Sequence, residues 1–374
     1  MKLTIERQAL QDALDSVRGA VERKNAIPIL GNLLLDARHD KLAITGTDLD
    51  VVIKTSAVAE VTKPGRTTVG CDLLANIAKK AQSDAQIGME LEGSDILLVK
   101  TGRSRFRLQT LSADDFPSLG SKDAKASFTL PAEQLSHLFS KTEFAISEEV
   151  TRYYLNGTYL HIAPKTTQGQ NDSHLRAVAT DGHTLAQVEV EAPEGSDTLP
   201  GIIVPRKTVG LVTDLCKDHD NVAIEVSDTG ITFAAGGTSI TSKLIDGTFP
   251  DYGRVVPMNN NKLLSIGRAE LASAIDLVAT VSSEKARPVR LSMTEGLLTL
   301  SANDADVGNA VNEVEAEYTA EPLDIGFNSR YVREICSHID ADRIEVMFAD
   351  PGSPTLFRPA GSTSDLYVVM PMRV

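Results

Sequence analysis

Apolar positions in this chain of 374 residues follow two periods that alternate along its length. Six segments carry the 3.6-residue period of an amphipathic helix. They are marked by Leu10, Leu14, Val17 and Val21; by Leu73, Leu74, Ile77, Ala78 and Ala81; by Leu135, Leu138, Phe139, Thr142 and Ile146; by Val209, Val212, Leu215 and Cys216; by Leu271, Ile275, Val278 and Val281; and by Val332, Ile335, Cys336 and Ile339. Pro131 stands at a plausible first helical position for the third, and Pro205 precedes the fourth. Between the helices lie short runs of period two, such as Leu33 to Ala37, Ile87 to Leu91, Ile96 to Lys100, Ile224 to Val226, Ile231 to Ala234 and Ile344 to Phe348, many separated by Gly or Asp turns.

The pattern is internally repeated. Leu42 to Asp48, Leu175 to Asp181 and Leu298 to Asp304 are alternating runs that each end on an aspartate in turn chemistry, and those aspartates stand 133 and 123 residues apart. Phe116-Pro117, Phe249-Pro250 and Met370-Pro371 keep nearly the same step, 133 and then 121 residues. Leu3 to Ile5, Phe128 to Leu130 and Leu264 to Ile266 each open a repeat ahead of a helical segment. Shared landmarks in the same order define three units of about 120 residues, with two helices each. Polar segments at Ser118 to Ala126 and Gly253 to Asn261 separate them, so the expected domains are 1–120, 127–252 and 253–374. A further polar stretch, Lys165 to Ser173, reads as a hairpin loop inside the second repeat.

Composition narrows the function. No apolar run approaches the roughly 20 residues of a membrane span, which leads to the expectation of a cytosolic protein. Cys71, Cys216 and Cys336 are too scattered for a zinc knuckle or a disulfide framework and read as small core residues. The net charge of −14 seems to argue against a nucleic-acid partner, but it is unevenly spread. Helical segments 72–83, 206–217 and 328–339 carry +1, +2 and +1, and the other three −1 each, so the acidity lies outside the helices. Lys79, Lys80, Arg206, Lys207, Lys217, Arg330 and Arg333 are therefore candidates for an anionic partner, although each alone reads equally well as a solvated helix position.

Catalytic motifs are missing: the chain has no nucleophile elbow, zinc-binding His-Glu-x-x-His or phosphate loop. A Ser282-Ser-Glu-Lys285 tetrad and a Lys100-Thr101-Gly102 triplet occur in the reverse of the order that penicillin-binding enzymes use, so a hydrolase built on Ser282 and Lys285 is a rival reading that an esterase or β-lactam assay would detect. Asp181 beside His183 is better explained as a turn aspartate capping its own backbone than as an acid/base pair. Neither a catalytic residue, a metal site nor a cofactor is expected. Two apolar clusters next to an arginine stand out, Phe249 to Val255 and Tyr367 to Val374. The second either completes a core strand or is displayed to a partner, for which Met is an adaptable lining.

Several multi-residue stretches together resemble the bacterial sliding clamps, the beta subunits of the replicative DNA polymerase III holoenzyme: Pro28 to Leu35, Thr45 to Leu49, Gly102 to Phe106, Arg152 to Gly157, Ala179 to His183, Val204 to Lys207, Phe249 to Tyr252 and Val368 to Arg373. They run from one end of the chain to the other. The resemblance implies an α+β DNA clamp fold, with three similar domains that each place two helices on the inner face and antiparallel sheets outside, closed as a homodimer ring around duplex DNA. It implies a processivity factor that tethers the replicative polymerase and meets the clamp loader, other polymerases and repair proteins through short linear motifs. A monomeric scaffold without a DNA role is the second rival, distinguished by sedimentation.

By resemblance, the peptide-binding pocket consists of Leu155, Thr180, Gly182, His183, Leu185, Pro250, Arg254, Val255, Val368, Met370, Pro371, Met372 and Arg373. Thr184 stands where well-known members have Arg, and Val374 where they have Leu, which alters the rim and leaves the apolar floor. DNA contacts carried over are Lys24, Arg152, Tyr153 and Tyr154, with Arg23 as a neighbour. The dimer interface brings Phe106 and Leu108 against Thr280 and Val281.

Overall fold

The computed structural model describes residues 1–22, 27–118, 123–164, 173–282 and 287–373. Arg23, Lys24, Lys285, Val374 and most of the expected hairpin loop after Pro164 lie outside the described residues, but the flanking strands do pair, with Pro164 opposite Ser173.

All six helices form: α1 (Arg7–Arg18), α2 (Cys71–Lys80), α3 (Ala132–Ser140), α4 (Arg206–Cys216), α5 (Arg268–Ala279) and α6 (Ser329–His338). The helices bury most of the stripe their periodicity marks, for example Leu10, Leu14 and Val17 on α1 and Val332, Ile335 and Cys336 on α6, but on α2 only Leu74 and Ala78 of that stripe are buried and Leu73 is 58 % exposed. The third is shorter than its pattern. The Thr142 hydroxyl donates back to the carbonyls of Leu138 and Phe139 at the helix end, and Glu143–Ala145 continues as a separate 3₁₀ turn. Pro131 is the last residue of strand Ala126–Pro131 and not the first of the helix. The three cysteines are buried thiols outside any disulfide, and burial pushes the Cys336 thiol up to about 12.

All six helices follow a strand directly, and in five of them the first amide is taken by a distant loop carbonyl, with Asn328 adding a side-chain cap that accepts from Arg330 N on α6. Arg7 N bonds Ala85 O, Ala132 N bonds Asp220 O and Arg268 N bonds Asp342 O; Arg206 N bonds Asn156 O and Ser329 N bonds Arg287 O. Each acceptor sits just before a strand of the other half of the same repeat, so one construction is used throughout. The aspartates of the repeat show it again. Asp48 Oδ1 accepts from the amides of Asp50 and Val51, Asp181 Oδ1 from His183 and Thr184, and Asp304 Oδ1 from Asp306 and Val307, at 2.7–3.2 Å.

Every strand pairing is antiparallel, as an α+β fold requires. The chain divides into two compact units: Met1–Ser136 with Pro193–Leu199 and Gly210–Leu244, and His137–Ala192 with Pro200–Val209 and Ile245–Val374. The first holds a five-stranded sheet ending on Ser104–Gln109 and an eight-stranded sheet. The second holds a nine-stranded sheet and a four-stranded one ending on Gly308–Glu315. The units are not the repeats, because each long sheet sews strands of one repeat to the next. Val51–Val58 pairs with Thr238–Lys243 in the first unit, and Thr184–Glu191 with Asp365–Val369 in the second.

Candidate functional site

Directly paired residues in an antiparallel sheet point to the same face, so register alone builds the floor of the site. In the nine-stranded sheet Thr180 is opposite Leu185, Leu185 opposite Val368, Val368 opposite Leu356, Leu356 opposite Met347, and Met347 opposite Leu263. The alternate residues Ala186, Tyr367, Phe357, Val346 and Leu264 form the core on the opposite face. The apolar row therefore lies on the face turned away from that core. It is joined there by Leu155, Val178, Ile203 and Phe249 in one cluster, against which Tyr154, Tyr159, Tyr252, Val256 and Met347 pack.

The floor is closed: Leu155, Leu185 and Val368 are 4, 2 and 1 % exposed. What is displayed surrounds it. The segment after Phe249 runs over the cluster as a single 3₁₀ turn, Tyr252–Arg254, with Pro250 exposed, Val255 41 % exposed and Arg254 ion-paired to Asp251. On the other side is the turn capped by Asp181. Gly182 has φ +91°, a conformation that favours glycine, and the Arg152 guanidinium is laid against it, with Nη1 2.6 Å from where a Cβ would stand. The His183 ring stacks on Tyr331 with centroids 5.8 Å apart.

The C-terminal tail completes the rim. Strand Asp365–Val369 ends before it, Met370 N then donates to His183 O at 2.9 Å, and Met372 N to Gly326 O at 2.8 Å. Met370 is 39 % exposed, Pro371 and Met372 are half-buried and Arg373 is exposed. Two backbone bonds thus hold this segment along the edge of the cluster without closing it into a core strand. Thr184 is buried, and its hydroxyl donates to Asp181 Oδ1 at 3.0 Å. It belongs to the turn and supplies nothing to the rim.

All thirteen expected pocket residues lie in one unit. Three residues expected at DNA are there too: Tyr154 packs on the cluster, Tyr153 meets it edge to face at 5.8 Å, and Arg152 donates to both carboxylate oxygens of Glu149. That pairing holds the exposed Glu149 carboxyl below its usual range. The other basic candidates stand elsewhere. Lys79 and Lys80 are exposed at the end of α2, and Arg206 opens α4 in an ion pair with Glu148, beside Lys207. Lys217 and Arg333 are paired with Asp214 and Asp276, as solvated helix positions commonly are. Of the interface candidates Thr280 is exposed, Val281 and Phe106 are partly so, and Leu108 is nearly buried. Val178, Ile203, Leu356 and Met347 enter through cross-strand register, and Tyr331 through its stack on His183, neither of which a single sequence displays.

Three profiles of the DNA polymerase III beta subunit match the chain in succession, the N-terminal domain over residues 1–120, the central domain over 129–251 and the C-terminal domain over 253–373. The chain belongs to the bacterial sliding clamp family. Among similar curated proteins, the beta sliding clamp of Caulobacter vibrioides is 44 % identical over 376 residues and that of Escherichia coli 37 % over 378, with full coverage of both chains in each case. A crystal structure of the sliding clamp from Bartonella birtlesii bound to griselimycin matches with a TM-score of 0.96 at 41 % identity, and one from Pseudomonas aeruginosa, also bound to griselimycin, with 0.94 at 38 %. Both alignments cover all of each chain. The chain is thus a clamp of the replicative polymerase, and no helix among its described residues is long and apolar enough to cross a membrane.

Proposed function

We propose that two copies of this chain close head to tail into a ring around duplex DNA in the cytoplasm, each contributing three domains, 1–120, 127–252 and 253–374. On this reading the apolar site on the nine-stranded sheet takes short segments of the replicative polymerase, the clamp loader, and other polymerases and repair proteins. The chain performs no reaction. It confers processivity by topology.

The observation that carries the ring is a pair of open sheet edges. Inside the chain, the last strand of one repeat's second half pairs with a strand from the first half of the repeat before it: Thr238–Lys243 with Val51–Val58, and Asp365–Val369 with Thr184–Glu191. The same rule leaves Ser104–Gln109 of the first repeat and Gly308–Glu315 of the third at the ends of their sheets. An exposed edge invites pairing with another chain. The first edge carries Arg103, Arg105 and Arg107, the second Glu313 and Glu315, and Val307 and Val311 are 66 and 65 % exposed. Opposite charges and apolar side chains suit a head-to-tail union, in which Phe106 and Leu108 meet Thr280 and Val281.

Encirclement accounts for an acidic protein on DNA, since a closed ring stays on its template with weak phosphate contacts that leave it free to slide. Arg23, Lys24, Lys79, Lys80, Arg152, Tyr153, Tyr154, Arg206 and Lys207 are the candidate contacts, none of them reading sequence. The deciding experiment loads the protein onto nicked circular DNA with its ATPase loader and then linearises the circle. A ring slides off the free ends, whereas retention on linear DNA refutes it.

A further inference from the structure

Beneath the segment that overhangs the apolar floor lies a line of polar groups that none of the site residues above includes. On the face of the nine-stranded sheet that carries the floor, His161 is paired opposite Arg176, and Arg176 opposite Glu189. Glu189 Oε2 accepts from Arg176 Nε and Nη2 at 2.9 and 2.7 Å, and Arg176 Nη1 donates to the Tyr252 hydroxyl at 3.1 Å. That hydroxyl is 2.8 Å from His161 Nε2, and His161 Nδ1 is 3.1 Å from the carbonyl of Ile162. Chemistry sets the direction throughout. The Ile162 carbonyl only accepts, so Nδ1 carries a proton; in the neutral ring Nε2 is then an acceptor, and the phenol that accepts from Arg176 donates to it.

Tyr252 is where this line reaches the site. Its own carbonyl accepts from the amides of Val255 and Val256, at 2.9 and 3.3 Å, and so fixes the turn that presents Arg254 and Val255. Phe249, at the other end of the segment, lies flat on Tyr159 at 4.9 Å and 4°, and Tyr159 stacks on His161 at 4.7 Å. One imidazole therefore steadies both posts of the overhang. We propose that His161, Arg176 and Tyr252 are positioning residues for the peptide site, holding the segment from Phe249 to Val256 in its binding shape through the Tyr252 hydroxyl. This rests on the reading of that site as a peptide pocket.

The groups facing His161 are Arg176, Tyr252 and Tyr159, with Glu189 behind Arg176. Burial lowers the His161 pKa, and Arg176 lowers it further. At acidic pH the protonated ring can no longer accept from Tyr252, so the site should loosen as His161 titrates.

The test measures griselimycin binding by surface plasmon resonance from pH 5 to 8, with calorimetric melting of the same samples. Tyr252→Phe keeps the ring and removes the hydroxyl, and is expected to raise the off-rate about tenfold at pH 8 with an unchanged melting temperature, as loss of one such bond would. Its affinity should no longer fall toward pH 5. His161→Gln, whose amide oxygen accepts at any pH, should keep wild-type affinity at pH 8 and hold it at pH 5. Wild-type kinetics and pH profile in Tyr252→Phe overturn the proposal, and so does a melting temperature of Tyr252→Phe at pH 8 that falls below wild type in step with its affinity. Met370→Asp, on the exposed rim, separates the two readings. If it abolishes binding while Tyr252→Phe does not alter it, the pocket stands and the positioning role fails. If it leaves binding intact, both fail.

Discussion

The two seams that join repeats within this chain are the same construction carrying different side chains. In the first unit the row across the seam is Thr47, Val52, Thr241, Thr232, Glu225 and Ser127. In the second it is Thr180, Leu185, Val368, Leu356, Met347 and Leu263. Strand for strand the registers match, and so do the turns. Thr47 Oγ1 accepts from Leu49 N, and Thr180 Oγ1 from Gly182 N, both at 3.1 Å. Yet where the second seam places Val368 beside Leu356, the first places two hydroxyls that bond each other, Thr241 to Thr232 at 3.0 Å. A strip of apolar side chains rewards burial by a ligand and a ladder of threonines does not. The fold thus offers the same register at each seam, and a few side chains decide which one presents an apolar strip.

The largest expected effect concerns the third seam, which the ring would form between chains. Val281→Asp should raise the dimer dissociation constant at least a hundredfold, because an unpaired charge in a desolvated interface costs several kcal/mol and 1.4 kcal/mol is about a factor of ten. Sedimentation that still shows dimer at nanomolar concentration would place that interface elsewhere. Next comes the row itself. Val368→Thr with Leu356→Thr gives the second seam the first seam's chemistry and, if the proposed pocket is right, should weaken binding of a short polymerase-derived peptide by about ten- to a hundredfold. The reverse exchange, Thr241→Val with Thr232→Leu, should leave the first seam without binding, since it lacks the Tyr252 overhang. Calorimetric titration of both double variants decides whether row or overhang makes the site.

A smaller effect separates the turns. Asp48→Ala and Asp181→Ala each remove an acceptor of two backbone amides and should each lower stability by about 1 kcal/mol in urea unfolding. Only Asp181→Ala should also weaken peptide binding, because that turn carries the His183 ring stacked on Tyr331 and the carbonyl that holds Met370. Equal binding by both variants would make the Asp181 turn mere scaffold.

Much of this was legible in the sequence, for reasons of range. The three aspartates are visible because an Asx turn is made with amides two and three residues on, and the six helices because their period lies within a dozen residues. What the site needed is of another kind. Val368 sits opposite Leu185 across 183 residues, and no local pattern reports that pairing. The two compact units were hidden for the same cause, since seam pairing between repeats sets them and repeat length does not. Pro131 misled in the other direction: its fixed φ suits a first helical turn, but it also suits the last residue of a strand, where strand Ala126–Pro131 uses it. Arg152 and Tyr154 illustrate a further limit: the resemblance offers them as DNA contacts, and only packing shows that Tyr154 also lies against the apolar cluster and Arg152 against Gly182.

The smallest expected effect is on pH dependence. Beside the second seam the polar row is His161, Arg176 and Glu189, whereas the equivalent row beside the first is Asp36, Ala43 and Ser56, with no imidazole. Burial and the Arg176 charge lower the His161 pKa in the folded state. The unfolded chain therefore binds the proton more readily. It follows that this contribution to stability is complete above the unfolded histidine value, near pH 6.5, and is lost as pH falls through the window down to the lowered folded value. One site can add at most one proton to the difference, so the slope it causes is at most about 1.4 kcal/mol per pH unit. Urea unfolding between pH 7.5 and 5 of wild type and His161→Gln should show wild-type stability falling more steeply. Parallel curves for wild type and His161→Gln would mean that the imidazole takes up its proton without disturbing the seam, and would remove the chemical difference claimed here between the two polar rows.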